Sequence, residues 1–560
     1  MKPRYWVALF AAAVIAAGSL QLTRPGYSVD EEFTVFAVRG IEAHGLPVLP
    51  SGLLYDRGIA YSYAAWLAGA VTGSELPAFR AVALFSAALS VLLTFFLVRR
   101  IANDTTAVIA SLFIALSVPF WATATTARFY APFLGAYLLT LYFLTHRHWW
   151  IGLIAAAALA RLTHELAFTL AVIPAGCWLL AKGDRRFWFL MTMSVMAGLG
   201  IGQVVLFAFH YAAPSSGDTM VRRFFLWQVL NLFERPGDRQ FGIPLVVMVL
   251  SLLVAPKRAL PMVIALSIAA MILAFSMAQA TNTAPLSLAL VSAVLVEGSR
   301  YPLDMFWHIA RTTPLTLLLA VTLLILRVAG AGGEWRVGNR AAHGLWAGWV
   351  LWFGVIESGI TSNYLLLPLT FMLIAIAIDG AAMIRRAVLP VMAILVLVVL
   401  FDQWRTRPAE RLEAARPTIH VEGIDEIRAG LQPNDRIACT DELGCLMLAG
   451  RIDRWLALDE FVRERFLVQK ADGSVTGVYT GVPAAFRPSD LFGANADGTL
   501  PDRVVVVDIF KEHPIGNSRF WLPKAIEEDG LRVTPLLETP QMRVLQIAPQ
   551  EQVARRQPSP

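Results

Sequence analysis

Apolar residues are concentrated in runs of about 20, the length that crosses a bilayer as a helix, and polar or basic segments separate the runs. The runs continue to about residue 401, after which the chain becomes polar and is interrupted by Gly and Pro. The pattern predicts about thirteen transmembrane helices. Their predicted bounds are 6–22, 79–98, 105–122, 129–145, 149–161, 165–181, 187–209, 241–256, 259–279, 314–329, 343–358, 363–379 and 386–402.

The basic clusters support this division, because short cytoplasmic loops of membrane proteins are rich in Lys and Arg. With a cytoplasmic N-terminus, the clusters in short loops all fall on one side. They are Lys2 with Arg4, Arg99-Arg100, His146-Arg147-His148, Lys182 with Arg185-Arg186, Lys257-Arg258, Arg336 with Arg340, and Arg385-Arg386. If the apolar run 284–296 crossed the membrane, the basic clusters after it would fall on the other side. We therefore place this run in an outer loop. An odd number of spans puts the C-terminal residues outside.

Residues 403–560 predict a soluble α/β domain with a disordered C-terminal tail, attached to a membrane domain of residues 1–402. Strands are predicted at 436–439, 503–509 and 543–547, and helices at 456–468 and 524–528. Asp441-Glu442 and Asp459-Glu460 are expected to be solvated surface pairs. We therefore predict a polytopic α-helical membrane protein with a C-terminal α/β domain on the outer side.

The composition agrees with this class. Hydrophobic residues make up 57% of the 560 and charged residues only 16%, which excludes an ordinary soluble enzyme. The net charge of +6 is carried mostly by clusters between spans, so we expect no nucleic-acid partner. The Ala- and Arg-rich composition is typical of a high-GC bacterium, which makes the membrane the inner membrane and the outer side the periplasm. The first span is interpreted as an anchor, with a cleaved signal peptide as the alternative.

Three cysteines are too few for a disulfide scaffold or a zinc ribbon. In an oxidising compartment, Cys439 and Cys445 are a candidate disulfide pair.

The long outer loops are predicted at 23–78, 210–240 and 280–313. The first of them opens with three adjacent carboxylates, Asp30, Glu31 and Glu32, close to the end of the first span. Such a cluster is often simply solvated. The aromatic and turn residues that follow it instead favour a loop that folds against the membrane.

Other polar residues are predicted at the same outer level, where ionisable groups near the bilayer are expensive and therefore functional candidates. They are Arg57, Arg128 with Tyr130, Arg161, His164, Glu165, and Tyr364 with Glu357 and Asn363. A carboxylate can act as a general base on a hydroxyl or amine, and arginines can bind a phosphate leaving group. A lipid-phosphate sugar donor would hold its phosphate at this boundary, so the pattern indicates glycosyl transfer at the outer face.

The acidic pair after the first span, the long first loop and a Tyr-Leu-Leu-Leu-Pro-Leu run beginning at Tyr364 resemble the GT-C glycosyltransferases. The pattern is most similar to the bacterial aminoarabinose transferases of lipid A and the protein O-mannosyltransferases. The resemblance covers residues 1–402. It implies an inverting transferase that uses a polyprenyl-phosphate sugar and acts on an envelope lipid, glycan or protein acceptor.

Carried over residue by residue, the resemblance implies Asp30 as the catalytic carboxylate, with Glu31 beside it. The donor phosphate is expected to contact Arg57, Arg128, Arg161, His164 and Tyr364. Relatives often carry Arg where this chain has Phe33, and His164 replaces the Lys of a Thr-Lys-Gly turn. An alternative interpretation uses Glu31, Glu32, His164 and Glu165 to hold a divalent metal cation.

Two other classes of function remain open. A transporter would be expected to show internal repeats and charges at the midplane of the membrane, neither of which is evident. A non-catalytic scaffold that binds envelope components would tolerate loss of Asp30, whereas an enzyme would not. Within the enzyme class, a ligase that transfers a whole glycan is disfavoured by the positions of the long loops.

Overall fold

The computed structural model describes residues 3–28, 30–146, 149–164, 167, 170–171, 173–174, 185–214, 310–328, 366–383, 388–405, 410, 412, 418–419, 424–458, 466–470, 473–494, 498–510 and 518–549. The chain divides into two compact units. Unit 1 contains Met1–Thr23, Asp56–Tyr211 and Arg222–Arg416, and unit 2 contains Arg24–Tyr55, Ala212–Val221 and Pro417–Pro560. Residues 24–55 of the predicted first loop thus belong to the same unit as the C-terminal residues.

Unit 1 is helical in its described residues. Its helices are α1 (Pro3–Ser19), α3 (Ile59–Thr72), α4 (Leu76–Ile101), α5 (Asp104–Ala115), α6 (Val118–Ala124), α7 (Tyr130–Leu144), α8 (Trp150–Thr163), α9 (Arg185–Ala212), α10 (Pro314–Val328), α11 (Leu366–Met383) and α12 (Val388–Trp404), while α2 (Glu31–His44) belongs to unit 2. The helix α3 lies within the predicted first loop, where the sequence analysis places no helix.

Apolar helices occur at the predicted spans that the structure describes. Among these residues, Leu76–Ile101 and Arg186–Ala212 are each long and apolar enough to cross a membrane alone, and the bent pair α5–α6 makes a third if it is one span. The other apolar helices are shorter. The predicted spans 241–256, 259–279 and 343–358, most of 165–181, and the run 284–296 lie outside the described residues. The count of thirteen therefore stays a prediction.

The predicted span 105–122 is two helices that meet at 65°. Pro119 follows the break and has no N–H to donate to the carbonyl four residues earlier, so a continuous helix is disfavoured. The indole Nε1 of Trp121 donates instead to the Ala115 carbonyl at 2.8 Å. The break thus keeps a carbonyl at the end of α5 hydrogen-bonded.

Buried polar side chains accept hydrogen bonds from the first N–H groups of two helices in unit 1. Asp402 is fully buried and its Oδ2 accepts from both the backbone N–H and the hydroxyl of Thr316 at 2.7 Å. The Gln403 side-chain oxygen accepts from the Val118 N–H at 3.1 Å. The first N–H groups of a helix lack partners within it, so these side chains replace the water that an apolar environment excludes.

Unit 2 is an α/β unit built on a six-stranded sheet of order β7-β4-β3-β8-β10-β9. The sheet strands are β3 (Arg436–Cys439), β4 (Arg454–Leu456), β7 (Ala484–Ala485), β8 (Val504–Ile509), β9 (Leu531–Glu538) and β10 (Met542–Pro549). The two small sheets pair β1 (Tyr27–Ser28) with β2 (Thr418–Ile419), and β5 (Leu467–Gln469) with β6 (Val475–Gly477). The other helices are α13 (Ile424–Ala429), α14 (Glu442–Ala449) and α15 (Ser518–Glu528).

The central strands are parallel, and their mostly apolar residues are consistent with burial in the middle of the sheet. The strands β7, β4, β3 and β8 run parallel, and β10 is antiparallel to both of its neighbours, β8 and β9. Every residue of β3 and of β8 is buried. Strands covered on both faces have continuous apolar runs, as in the four valines that begin β8.

Three strands and the helix at 524–528 were predicted where the structure has β3, β8, β10 and α15. The predicted helix 456–468 is wrong at both ends, because β4 ends at Leu456 and β5 begins at Leu467. Trp455 and Leu456 are buried and pair in parallel with Ala484 and Ala485. Burial within a sheet overrides the local helical pattern.

The surface position predicted for Asp441-Glu442 is wrong for Glu442, which is 2% exposed. Helix α14 starts at this residue and packs its carboxylate inside unit 2. Asp459 and Glu460 lie outside the described residues. Cys439 and Cys445, the candidate pair, are joined by a disulfide and both are buried.

Candidate functional site

The three carboxylates after the first span lie at the start of α2 in unit 2, and they differ in environment. Asp30 is half-exposed, whereas Glu31 and Glu32 are both fully buried. Carboxylates are rarely buried unless they are paired or hydrogen-bonded. The cluster is therefore not a solvated surface group, because two of its three members are inside the protein.

Asp30 has a backbone φ of 74°, and among the described residues it is the only one other than Gly with a positive φ. It occupies the N-cap of α2, but its side chain makes no capping hydrogen bond. An Asp N-cap normally has an extended backbone and caps through its carboxylate, so capping does not account for this residue. A left-handed backbone outside Gly costs free energy and is found preferentially at functional sites.

Glu31 anchors the segment that precedes Asp30. Its Oε2 accepts from the Ser28 N–H at 2.7 Å and lies 3.5 Å from Nη2 of Arg24. The same Nη2 donates to the Ser28 hydroxyl at 2.5 Å. Sequence reasoning missed Arg24, although a single cation directly after a span and seven residues before a carboxylate could have indicated it.

The strand β1, just before Asp30, is held by residues far along the chain. Tyr27 and Ser28 pair antiparallel with Ile419 and Thr418. Gly26 has a φ of +75°, and a Cβ there would lie 2.3 Å from the Ile419 carbonyl oxygen. Only Gly fits this turn, because any side chain would both strain the backbone and collide with β2.

In unit 1, Arg128 is 4% exposed and lies between aromatic rings and helix ends. Its guanidinium carbon is 4.9 Å from the Phe129 ring centroid and 5.8 Å from that of Tyr130. A guanidinium over a ring face is stabilised by the ring quadrupole and keeps its plane fixed. Arg128 is thus held as an oriented cation, rather than as a side chain extended into lipid headgroups.

His164 belongs to the same aromatic group. It is 5% exposed, stacks on Phe133 with ring centroids 4.9 Å apart, and lies 5.0 Å from Phe129 and 6.2 Å from Tyr130. The helix α8 ends at Thr163, and the extended backbone of His164 directs the chain away from it. Arg128 and His164 therefore share two aromatic neighbours.

The Asp56-Arg57-Gly58 segment approaches this aromatic group through Gly58. A Cβ at Gly58 would lie 2.7 Å from Cβ of Phe129, and the residue has a φ of +77°. Arg57 is half-buried next to this contact. Two predicted phosphate-binding residues, Arg128 and His164, thus contact Phe129, and Arg57 precedes the glycine that packs against it.

Arg161 is directed to another helix. Its Nε and Nη2 donate to the side-chain oxygen of Gln203 at 3.0 and 2.7 Å, and Gly202 leaves room for its Cβ. Asp56 pairs with His210 of α9 at 3.3 Å, a contact that the sequence analysis missed because 154 residues separate the two. Tyr364 and Glu165 lie outside the described residues.

The metal hypothesis needs carboxylates and a histidine as common ligands. Glu31 lies in an ion pair with Arg24, and His164 packs among three aromatic rings. In the part of the chain that the structure describes, no group of three or more His, Cys, Asp or Glu is arranged to hold a metal ion. The hypothesis stays a prediction that also requires Glu165.

One family of known proteins matches part of this chain. The family model of dolichyl-phosphate-mannose-protein mannosyltransferases matches residues 56–211, a range that includes Arg57, Arg128, Arg161 and His164 but not Asp30. The chain matches no curated protein in sequence.

Two solved structures are similar along most of the chain. ArnT from Cupriavidus metallidurans, bound to undecaprenyl phosphate, has a TM-score of 0.52 and 14% identity, covering 97% of this chain and 98% of that one. The archaeal oligosaccharyltransferase AglB from Archaeoglobus fulgidus, in complex with an inhibitory peptide and a dolichol-phosphate, has a TM-score of 0.49 and 13% identity. That match covers 90% of this chain and 70% of the other.

The ArnT similarity shows a common fold. The residues that match the family model include the aromatic group around Phe129. Both agree with the resemblance found in the sequence. The chain thus shares its fold with ArnT and matches the mannosyltransferase family model over residues 56–211, and in both respects it resembles the GT-C glycosyltransferases.

Proposed function

We propose that the chain transfers a sugar from a polyprenyl-phosphate donor to an envelope lipid, glycan or protein acceptor on the periplasmic face of the bacterial inner membrane. The observation that carries the proposal is Asp30, a half-exposed carboxylate with a left-handed backbone, next to a buried and ion-paired Glu31. The protein fixes an expensive conformation there, as expected for a catalytic group. The mannosyltransferase family match and the undecaprenyl phosphate bound by ArnT support the donor class.

The proposed reaction is a single displacement with inversion. The acceptor oxygen or nitrogen forms a bond to the anomeric carbon while the bond from that carbon to the phosphate oxygen breaks. The acceptor proton passes to Asp30, and the electron pair of the broken bond leaves with the polyprenyl phosphate. A positioned general base typically contributes about 10²–10⁴-fold to such a step.

Arg57, Arg128 and Arg161 supply the positive charge for the phosphate in this proposal, with His164 and Tyr364 as further contacts. Arg128 is suited to the task because its buried guanidinium lies over two aromatic rings, and a planar guanidinium binds phosphate oxygens in pairs. Glu31 keeps Arg24 and β1 in place, which leaves Asp30 as the base.

The test uses the purified protein in nanodiscs with radiolabelled polyprenyl-phosphate hexoses and pentoses and an envelope extract as acceptor. We expect release of free polyprenyl phosphate by the wild type and by Glu42→Gln, a control on the exposed side of the same helix. Asp30→Asn should lose turnover while keeping its level in the membrane. Equal turnover in Asp30→Asn would refute the assigned base. Failure with every donor would favour a transporter or a non-catalytic scaffold.

The periplasmic side is tested separately. A phosphatase that folds only outside the cytoplasm, fused after residue 560, should be active. A fluorescent protein that folds only in the cytoplasm should stay dark at the same position. The reverse result would place the C-terminal residues in the cytoplasm and remove the topology on which the proposal depends.

A further inference from the structure

Phe33 lies in the first turn of α2, three residues after Asp30, and it is enclosed by two tyrosines of unit 2. Its ring stacks on Tyr55 with centroids 5.5 Å apart and an interplanar angle of 21°. The edge contact with Tyr479 has a centroid distance of 4.9 Å and an angle of 88°. Both arrangements are favoured geometries for aromatic pairs. The start of α2 is therefore held by rings from two other segments.

Tyr479 holds the same loop through its backbone as well. Its carbonyl oxygen accepts from the Ser51 N–H at 3.0 Å, and the neighbouring Val478 carbonyl accepts from the Ser51 hydroxyl at 2.7 Å. Residues 33 and 51 thus contact one short turn of the C-terminal residues. The loop that carries Asp30 is clamped at both its beginning and its end.

The turn around Tyr479 is itself fixed from inside by Glu442. The carboxylate accepts from the N–H groups of Tyr479 and Thr480 at 3.4 and 3.1 Å, and from the Thr480 hydroxyl. A Cβ at Gly477 would lie 2.0 Å from Oε1 of Glu442, so Gly at this position admits the carboxylate. A buried carboxylate with this many donors determines the conformation of the turn.

The helix α14 that begins at Glu442 also contacts the residue range before Asp30. The Tyr27 hydroxyl donates to the Gly444 carbonyl at 3.4 Å, and a Cβ at Gly444 would lie 3.0 Å from that hydroxyl and 2.8 Å from Cδ1 of Ile509. This contact lies beyond the carboxyl ends of β3 and β8. The chain adds β4 and β7 on one side of β3 and β8 on the other, so the direction of strand addition changes between β3 and β8. Open α/β sheets usually bind ligands at such a point. Here Tyr27 of the same chain occupies that place.

We infer that Tyr479 is a positioning residue for Asp30, and that the C-terminal α/β residues hold the catalytic loop in its working geometry. This inference rests on the proposed function of Asp30. The ring of Tyr479 fixes Phe33, Phe33 fixes the first turn of α2, and that turn determines the backbone of Asp30. A displacement of about 1 Å at a reacting group is enough to cost about 10²-fold in rate.

The test compares Tyr479→Leu and its matched control Tyr479→Phe in the full-length protein in nanodiscs, with release of polyprenyl phosphate as the readout. We expect Tyr479→Leu to lower kcat about tenfold or more with little change in the donor KM, because positioning rather than donor binding is lost. Tyr479→Phe should stay close to wild type, because the ring is retained. Hydrogen exchange in residues 24–55 should become faster in Tyr479→Leu alone.

A double-mutant cycle with Phe33→Leu distinguishes positioning from general instability. If the two rings act through one contact, Tyr479→Leu with Phe33→Leu should have a kcat no lower than the worse single variant. Additive losses, or wild-type kcat in Tyr479→Leu while Asp30→Asn is inactive, would overturn the inference and leave the proposed function standing. Wild-type turnover in Asp30→Asn would instead overturn the proposed function itself.

Discussion

The acidic start of α2 and the aromatic group around Phe129 hold charged residues by different means. At α2, buried Glu31 is neutralised by Arg24 and hydrogen-bonded by Ser28, and Asp30 is left half-exposed on a strained backbone. Around Phe129, the cation Arg128 is buried against ring faces, and His164 is stacked on Phe133. The contacts described for the anion are an ion pair and a directional hydrogen bond, and those described for the cation are ring faces. Each method suits its charge, because ring faces attract cations and repel anions.

The largest expected effect is at Asp30 itself. Asp30→Asn removes the base but keeps a residue that tolerates the left-handed backbone, so we expect kcat to fall about 10²–10⁴-fold with little change in stability. Asp30→Gly should be equally inactive and somewhat more stable, because the backbone strain is removed. Turnover with a saturating donor and thermal unfolding measure the two effects. A stable Asp30→Asn variant with wild-type kcat would contradict the role of Asp30 as the general base.

The second-largest expected effect is on stability, at the ion pair between Arg24 and Glu31. Arg24→Met removes the cation that lies 3.5 Å from the fully buried Glu31, and breaking a buried pair in this way typically costs about 3–5 kcal/mol. Arg24→Met with Glu31→Gln should recover much of the loss, because no uncompensated charge remains. Denaturant unfolding of the purified variants measures this. Equal stability of Arg24→Met and the wild type would show that the pair does not anchor β1.

Glu442 makes the support of the acidic loop sensitive to pH. Burial is the largest cause that raises the pKa of Glu442, to about 7 from an ordinary 4.5, against the lowering effect of the hydrogen bonds from Thr480 and Tyr479. The folded state therefore binds this proton more tightly than the unfolded state. The resulting stabilisation is fully present below the ordinary pKa and is lost as the pH rises through about 7.

Between pH 5 and pH 8, this group should lower the free energy of unfolding by on the order of 3 kcal/mol. In Glu442→Gln that contribution is absent, so the decrease in stability over the same interval should be smaller by this amount. Thermal unfolding of the two proteins across the interval gives the difference. Parallel pH profiles would show that Glu442 titrates normally.

The smallest expected effect concerns the aromatic side. Arg128→Lys keeps the charge but loses the planar guanidinium that lies over Phe129 and Tyr130, so we expect a donor KM about tenfold higher with kcat much less affected. The control Arg39→Lys changes a cation on α2 that is exposed. Donor titrations measure both. If kcat falls and KM does not change, Arg128 acts on the chemical step. Donor binding and chemistry would then not be divided between the two regions.

The sequence predicted the helical membrane class and, among the residues that the structure describes, the positions of most apolar helices, because runs of apolar residues depend only on local composition. The GT-C resemblance came from the acidic pair after the first span, the long first loop and the Tyr-Leu-Leu-Leu-Pro-Leu run. The sequence also identified Asp30, Arg128 and His164 as unusual polar residues near predicted span ends. It did not anticipate Arg24, the Asp56–His210 contact or the buried state of Glu442, since each depends on residues that are distant in sequence or on burial. In the sequence, Phe33 stands out only because relatives often carry Arg at this position. The structure shows that its ring packs against Tyr55 and Tyr479.

What the sequence determined by itself is therefore the class of the protein and the kinds of polar side chain near its predicted outer loops. Only the tertiary structure decided which carboxylate is half-exposed, which are buried, and that residues 24–55 share a unit with residues 417–560. The physical reason is that hydropathy acts on each segment independently. The backbone of Asp30 and the burial of Glu31 and Glu442 are set by contacts between segments, such as the pairing of β1 with β2 across almost 400 residues.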